Sequence, residues 1–178
     1  MIDGLPVEGC QKCYDVEKVN ATSMRQQFVD IWKKNPILNE KYKQALTGDI
    51  DPTVQFYDLR YGNLCNLACK SCYPPASTQL DKEVKEISIL HENMIRYQIP
   101  NTKDYNEWYQ TDIFQYNLES QLPNITEYYT TGGEPTINEK NTQILEKMIE
   151  TGHSKHVTLK LNTNLTNTKK DYYSLFPH

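Results

Sequence analysis

Cys65, Cys69 and Cys72 stand in the segment Cys-Asn-Leu-Ala-Cys-Lys-Ser-Cys, a C-x3-C-x2-C spacing. Three thiolates on one short loop can grip one corner of an iron–sulfur cube and hold three of its four irons. The fourth iron then stays open to a bound molecule, whereas electron-transfer clusters of this kind take four cysteines. Structural zinc also suits these thiols, but it wants four closed ligands, with the fourth drawn from elsewhere in the chain. A second pair, Cys10 and Cys13, makes a C-x2-C knuckle, half of a tetrahedral metal site. Together these are all five cysteines of the chain. An odd number at such spacings points to metal ligation or redox chemistry, not to a disulfide framework.

The other chemical segment is Thr131-Gly132-Gly133-Glu134-Pro135. Paired glycines at a strand end let backbone approach a ligand closely, and their N–H and C=O groups can bond a polar head group. Glu134 beside them can pair with an ammonium group, and Pro135 fixes the exit of the loop. An ordinary β-to-α turn uses the same residues. The segment gains meaning from its place one crossover after the cysteine loop.

The elements that carry these loops follow from pattern. Residues 53–60, 126–131 and 156–163 read as strands, the last from the alternation of Val157, Leu159 and Leu161. Between them, a helix is predicted over 78–97, with Leu80, Val84, Ile87, Leu90 or His91, and Met94 on one face. A short helix is predicted near 112–120. Another runs over 138–151, capped by Asn138, burying Ile144, Leu145, Met148 and Ile149, and stopped by Gly152. A further helix begins near Asp171. The alternation of strand and helix predicts an α/β fold with a parallel sheet, in which ligands bind at the carboxyl ends of the strands. Both chemical loops fall at that end. Residues 1–52 read as a small helical appendage. Ser23 and Gln26 form a capping box ahead of Met24, Phe28, Ile31 and Trp32 on one apolar face. Pro36 opens a second helix that Gly48 closes.

The two loops together resemble the radical S-adenosylmethionine (radical SAM) superfamily. That family carries C-x3-C-x2-C after the first strand of a partial (β/α)6 barrel and GGEP at the end of the second. The resemblance implies a [4Fe–4S] cluster on Cys65, Cys69 and Cys72, its open iron chelated by the amino and carboxylate groups of S-adenosyl-L-methionine. Gly132, Gly133, Glu134 and Pro135 would hold the methionine ammonium. One electron, from a reductant such as flavodoxin or ferredoxin, would split the sulfonium C–S bond. The 5′-deoxyadenosyl radical so formed would take hydrogen from a substrate, such as a peptide or protein. Ser71 occupies the position before the third cysteine, often aromatic in relatives and close to the adenine, so a backbone contact is implied there. Asn162-Thr163-Asn164 stands where relatives often show a Thr-Asn-Gly-like segment; Asn162 is read either as a cofactor contact or as a plain polar strand end. Cys10 and Cys13, followed by Tyr14, Glu17, Ser23 and Arg25, resemble the tail of a twitch or SPASM appendage, which in virus-encoded relatives precedes the barrel as C-x2-C…E…S-x-R. Such an appendage holds an auxiliary cluster. With two thiols the site is vestigial, takes zinc with a His, or draws on ligands upstream.

Composition narrows the alternatives. The chain has 178 residues, 38% apolar and 24% charged, with a net charge of −4. That argues against both a membrane protein and a disordered chain. No basic block marks a nucleic-acid partner. The first residues carry no secretory pattern, so a cytoplasmic location is expected, in the cell or in an infected host. A six-unit barrel at roughly 25–35 residues per unit is longer than residues 53–178, which supply three strands. The expectation is an appendage tail over 1–52 and the first half of a radical SAM barrel over 53–178. The readings against it are a zinc-stabilised binding module without catalysis and an inactive fragment of the enzyme.

Overall fold

The computed structural model describes residues 6–50, 53–90 and 107–177, with side chains left aside at 88–90. The chain divides into two compact units, Met1–Pro52 and Thr53–His178.

The first unit holds α1 (Gln11–Lys18), α2 (Met24–Lys34) and α3 (Pro36–Leu46). The predicted capping box is formed. The Ser23 hydroxyl accepts from the Gln26 N–H, and the Gln26 side chain accepts from the Ser23 N–H at 3.0 Å. A cap of this kind is worth ~1 kcal/mol. Asn35 ends α2 and caps α3, accepting from the Ile37 and Leu38 N–H groups, with Pro36 at the first helical position. Gly48, at φ +90°, closes α3 in a Schellman arrangement. Its N–H reaches the Ala45 carbonyl, and the Asp49 N–H reaches that of Gln44. The predicted apolar face is helical but not covered: Met24, Phe28 and Ile31 are exposed. Only Ser23 and Leu38 are fully buried among the unit's described residues. Three short helices have too little interior to enclose more.

The second unit is α/β. Strands β1 (Phe56–Arg60), β2 (Glu127–Thr131) and β3 (Thr158–Leu161) form a parallel sheet in the order β1-β2-β3. Arg60 lies level with Thr131, and Thr130 with Leu161. Helices α4 (Thr78–Leu90) and α5 (Asp112–Gln121) precede β2, α6 (Glu139–Glu150) links β2 to β3, and α7 (Lys170–Tyr173) follows. Each strand is shorter than predicted, although backbone hydrogen bonds between neighbouring strands continue just past its ends: the Gln55 carbonyl accepts from the Thr126 and Glu127 N–H groups, and the Asn162 N–H donates to the Thr130 carbonyl. The alternation sorts the sheet into two faces. Tyr57, Leu59, Tyr128, Leu159 and Leu161 face a core completed by Leu118, Leu122, Ile144 and Met148. Phe56, Asp58, Arg60, Thr158 and Lys160 lie on the opposite face and are exposed. Helix α6 starts at Asn138, whose side chain accepts from the Lys140 and Asn141 N–H groups, and ends before Gly152 at φ +75°. Ile149 is half-buried and Ile87 exposed, two departures from the predicted apolar faces. His91 and Met94 lie outside the described residues. No helix among the described residues is long and apolar enough to cross a membrane.

Candidate functional site

The cysteine loop leaves β1 and returns at the first turn of α4, which grips it. The Thr78 N–H donates to the Asn63 carbonyl at 2.9 Å; its hydroxyl donates to the Cys65 carbonyl and accepts from the Cys65 N–H. The Ser77 hydroxyl donates to the Leu67 carbonyl at 2.6 Å and caps α4 by accepting from the Leu80 N–H. Cys65 is thereby fixed and buried. Cys69 is exposed and Cys72 half-buried, on a turn closed by the Cys72 N–H to the Cys69 carbonyl at 3.0 Å. Ser71 is exposed on the same turn.

Against this loop lies the Gly-Gly-Glu-Pro segment at the end of β2. The Glu134 N–H donates to the Leu64 carbonyl at 2.7 Å. Gly132 and Gly133 take φ +80° and +55°, and a Cβ at Gly133 would stand 2.2 Å from the Leu64 oxygen. The glycines therefore bring two pieces of backbone together, the strand-end loop and the cysteine loop. Pro135 is buried and opens a short 3-10 turn.

Glu134 is 1% exposed, and four donors converge on its carboxylate. One oxygen accepts from the Thr136 N–H, the Thr136 hydroxyl and the Thr163 hydroxyl. The other accepts from the Asn164 N–H at 2.6 Å. Burial pushes the carboxyl up, but the Asn164 N–H, the two hydroxyls and the Thr136 N–H outweigh it and hold the group below its ordinary range. Sequence reasoning placed Glu134 opposite an ammonium; in the structure its carboxylate joins the loop after β2 to the loop after β3. Asn164 completes the convergence, its side-chain amide lying 3.8 Å from the Cys65 sulfur. Thr163 and Asn164 were legible as part of a polar, Thr-Asn-Gly-like strand end, but their partners were not, because bonds spanning about thirty and a hundred residues leave no local pattern.

Asn162, the predicted contact on β3, is exposed at the same end of the sheet. It lines a cleft of about 230 Å³ with Arg60, Tyr73, Tyr129, Thr131 and Gly132. Thr131 is buried there and its hydroxyl has no hydrogen-bond partner among the described residues.

Among the described residues, no group of three or more His, Cys, Asp or Glu side chains is arranged to hold a metal ion. The donors nonetheless suit a cluster in kind and number: three free thiols on one loop, one buried and two on a solvent-facing turn. Holding one cluster on all three thiols would need Cys69 and Cys72 drawn toward Cys65, on a turn that has no helix or strand. In the first unit, Cys10 precedes α1 and Cys13 lies in its first turn, both half-buried. Glu17 accepts from the Ser23 hydroxyl and pairs with Arg25, which stacks over Tyr14. The spaced Glu, Ser and Arg of the appendage thus meet in one cluster. All four histidines of the chain lie beyond residue 52, so this unit supplies no imidazole to the Cys10 and Cys13 pair.

Compared with known proteins, the chain matches no family model, no curated protein and no solved structure.

Proposed function

We propose that this chain carries the cluster- and cofactor-binding part of a radical S-adenosylmethionine enzyme. The observation that supports it is the convergence at one end of a parallel sheet. The C-x3-C-x2-C loop after β1 and the Gly-Gly-Glu-Pro loop after β2 are joined by the Glu134–Leu64 hydrogen bond, and Asn164 from the loop after β3 touches both. The three strands in sequential order are consistent with the first half of a (β/α)6 barrel.

In this reading Cys65, Cys69 and Cys72 hold a [4Fe–4S] cluster, and Gly132, Gly133 and Asn162 present polar groups to S-adenosylmethionine. The bound pair supplies one-electron cleavage of the sulfonium and hydrogen-atom abstraction from a substrate. The chain's own part is positional. Thr78 and Ser77 hold the Cys65 end of the loop rigid, and Glu134 locks the loops after β2 and β3 together. The sheet face that carries Arg60, Tyr129 and Lys160 is left for the substrate. A low-potential donor such as flavodoxin or ferredoxin supplies the electron. The likeness of residues 10–25 to a twitch or SPASM tail favours a peptide or protein substrate.

Anaerobic reconstitution with iron and sulfide, followed by metal analysis and electron paramagnetic resonance, tests the reading. A reduced-cluster signal that changes on addition of S-adenosylmethionine, and is lost in Cys65→Ser, is expected. Stoichiometric zinc with no cluster signal would replace the enzyme by a zinc-stabilised binding module.

A further inference from the structure

Asn164 makes bonds in three directions. Its side-chain oxygen accepts from both the N–H and the hydroxyl of Thr166, at 2.9 and 2.6 Å. Two donors on one atom settle which end of the amide is which. The NH2 end must then face the other way, where one hydrogen meets the Asn66 oxygen at 3.1 Å and the Cys65 sulfur lies at 3.8 Å. Asn66 is oriented in turn, because its own NH2 donates to the Thr166 hydroxyl at 2.7 Å. The three side chains close a ring of donors and acceptors, and the second hydrogen of the Asn164 amide is left for the sulfur. The backbone of Asn164 is pinned separately by its N–H to Glu134 at 2.6 Å. The next residue, Leu165, adopts φ +58° to make the turn, a conformation that disfavours leucine.

Resting on the cluster reading, we infer that Asn164 is a positioning residue that donates an N–H···S hydrogen bond to the Cys65 thiolate and raises the reduction potential of the cluster held there. No bond forms or breaks. Adding an electron makes the ligating sulfur a stronger acceptor, so a fixed donor aimed at it favours the reduced state. The donor comes from the loop that also holds Glu134, which couples the cluster's potential to the arrangement of the Gly-Gly-Glu-Pro segment.

Two variants separate the bond from its surroundings. Asn164→Ala removes the whole amide. Asn164→Asp keeps an acceptor for Thr166 and the backbone bond to Glu134, but has no N–H for sulfur. Asn66→Asp is the control, since it adds the same charge beside the same loop and leaves Asn164 in place. The reconstituted proteins are titrated with dithionite and mediators, and the reduced cluster is followed by electron paramagnetic resonance. Both Asn164 variants should shift to more negative potential. For Asn164→Ala the reduced-to-oxidised ratio at a fixed potential should fall about tenfold, equivalent to ~59 mV for one electron. Asn164→Asp should shift further than Asn66→Asp. An Asn164→Ala potential equal to wild type, or equal shifts in the two Asp variants, overturns the inference. A metal-free measurement runs beside it: the rate of iodoacetamide labelling of Cys65 relative to Cys69, by mass spectrometry. Asn164→Ala should change that ratio several-fold, and an unchanged ratio shows the contact is absent in solution. If wild type takes up no cluster, the enzyme reading fails, and this inference with it; if wild type loads and the variants match it, only this inference fails.

Discussion

The backbone of Gly133 lies so close to Leu64 that a Cβ at position 133 would stand 2.2 Å from the Leu64 carbonyl oxygen, which the Glu134 N–H meets at 2.7 Å. The obstructing atoms are backbone and cannot swing aside as a side chain can. The two loops that bear the candidate chemistry are thus held in register by the absence of a single carbon.

Gly133→Ala should therefore be costly in proportion to that contact. Gly152 is the reference: it also has positive φ, but nothing lies within 4 Å of its added Cβ. Gly152→Ala should lose only the left-handed penalty, ~1 kcal/mol. Gly133→Ala should lose at least ~3 kcal/mol, or shift the cysteine loop. Urea denaturation of the two variants, read by circular dichroism, compares them directly. Equal losses would mean the loops are not in contact.

Glu134 makes acid stability a signature of the same junction. Its carboxyl is held below the ordinary value of 4.5. The folded state therefore gains stability that is full above that value and is lost as pH falls through the lowered one. Glu134→Gln cannot accept from four donors at once and should cost ~2–3 kcal/mol at neutral pH. It should also flatten the fall in stability below about pH 4.5. Denaturation midpoints of both proteins from pH 7 to 3 measure the difference; parallel curves would refute the assignment.

Leu165 offers the opposite sign. It sits at φ +58° and is 72% exposed, so its side chain contributes little packing to offset the strain. Leu165→Gly should raise stability by ~0.5–1 kcal/mol, net of the extra freedom of glycine in the unfolded chain. A thermal melt that moves down would contradict it.

The core carries an alkaline counterpart. Tyr61 and Tyr128 share a hydroxyl hydrogen bond, Tyr128 reaches Asn141, and Asn141 donates to Tyr172. Burial raises all three phenols above their ordinary value of 10.0. Their contribution is full below that value and is lost as pH rises toward the folded values, so stability should fall above about pH 10. Tyr128→Phe leaves Tyr61 and Asn141 without that partner and should cost ~1–3 kcal/mol. A stability profile from pH 8 to 11.5 tests the first statement, and urea denaturation the second.

Much of this arrangement was legible in local pattern. The caps at Ser23 and Asn138, the start at Pro36, the stop at Gly152 and the alternation in β3 are read from residues within a turn of one another. The spacing of Cys65, Cys69 and Cys72 and the pair Gly132-Gly133 are equally local, because a loop that wraps a ligand or a tight backbone must carry its chemistry in consecutive residues. Exposure was less legible. The apolar face of Met24, Phe28 and Ile31 formed its helix, but a three-helix unit has no second layer to cover it.

What the sequence determined by itself is therefore the three strands, the helices between them and the two that follow Ser23 and Asn35, their order and the residue types at each strand end, but not α1. Only the tertiary structure decided that the Glu134 carboxylate turns inward to Thr136, Thr163 and Asn164, that Gly133 seats against Leu64, and that the Asn164 amide faces Cys65. The physical reason is range. Helix caps and turns are satisfied by neighbours in the chain, whereas a buried carboxylate takes whichever donors the packed sheet brings to it. Here two of the four donors come from Thr136 on the same loop, and the other two, Thr163 and Asn164, lie on a loop about thirty residues away, delivered by the parallel pairing of β2 with β3.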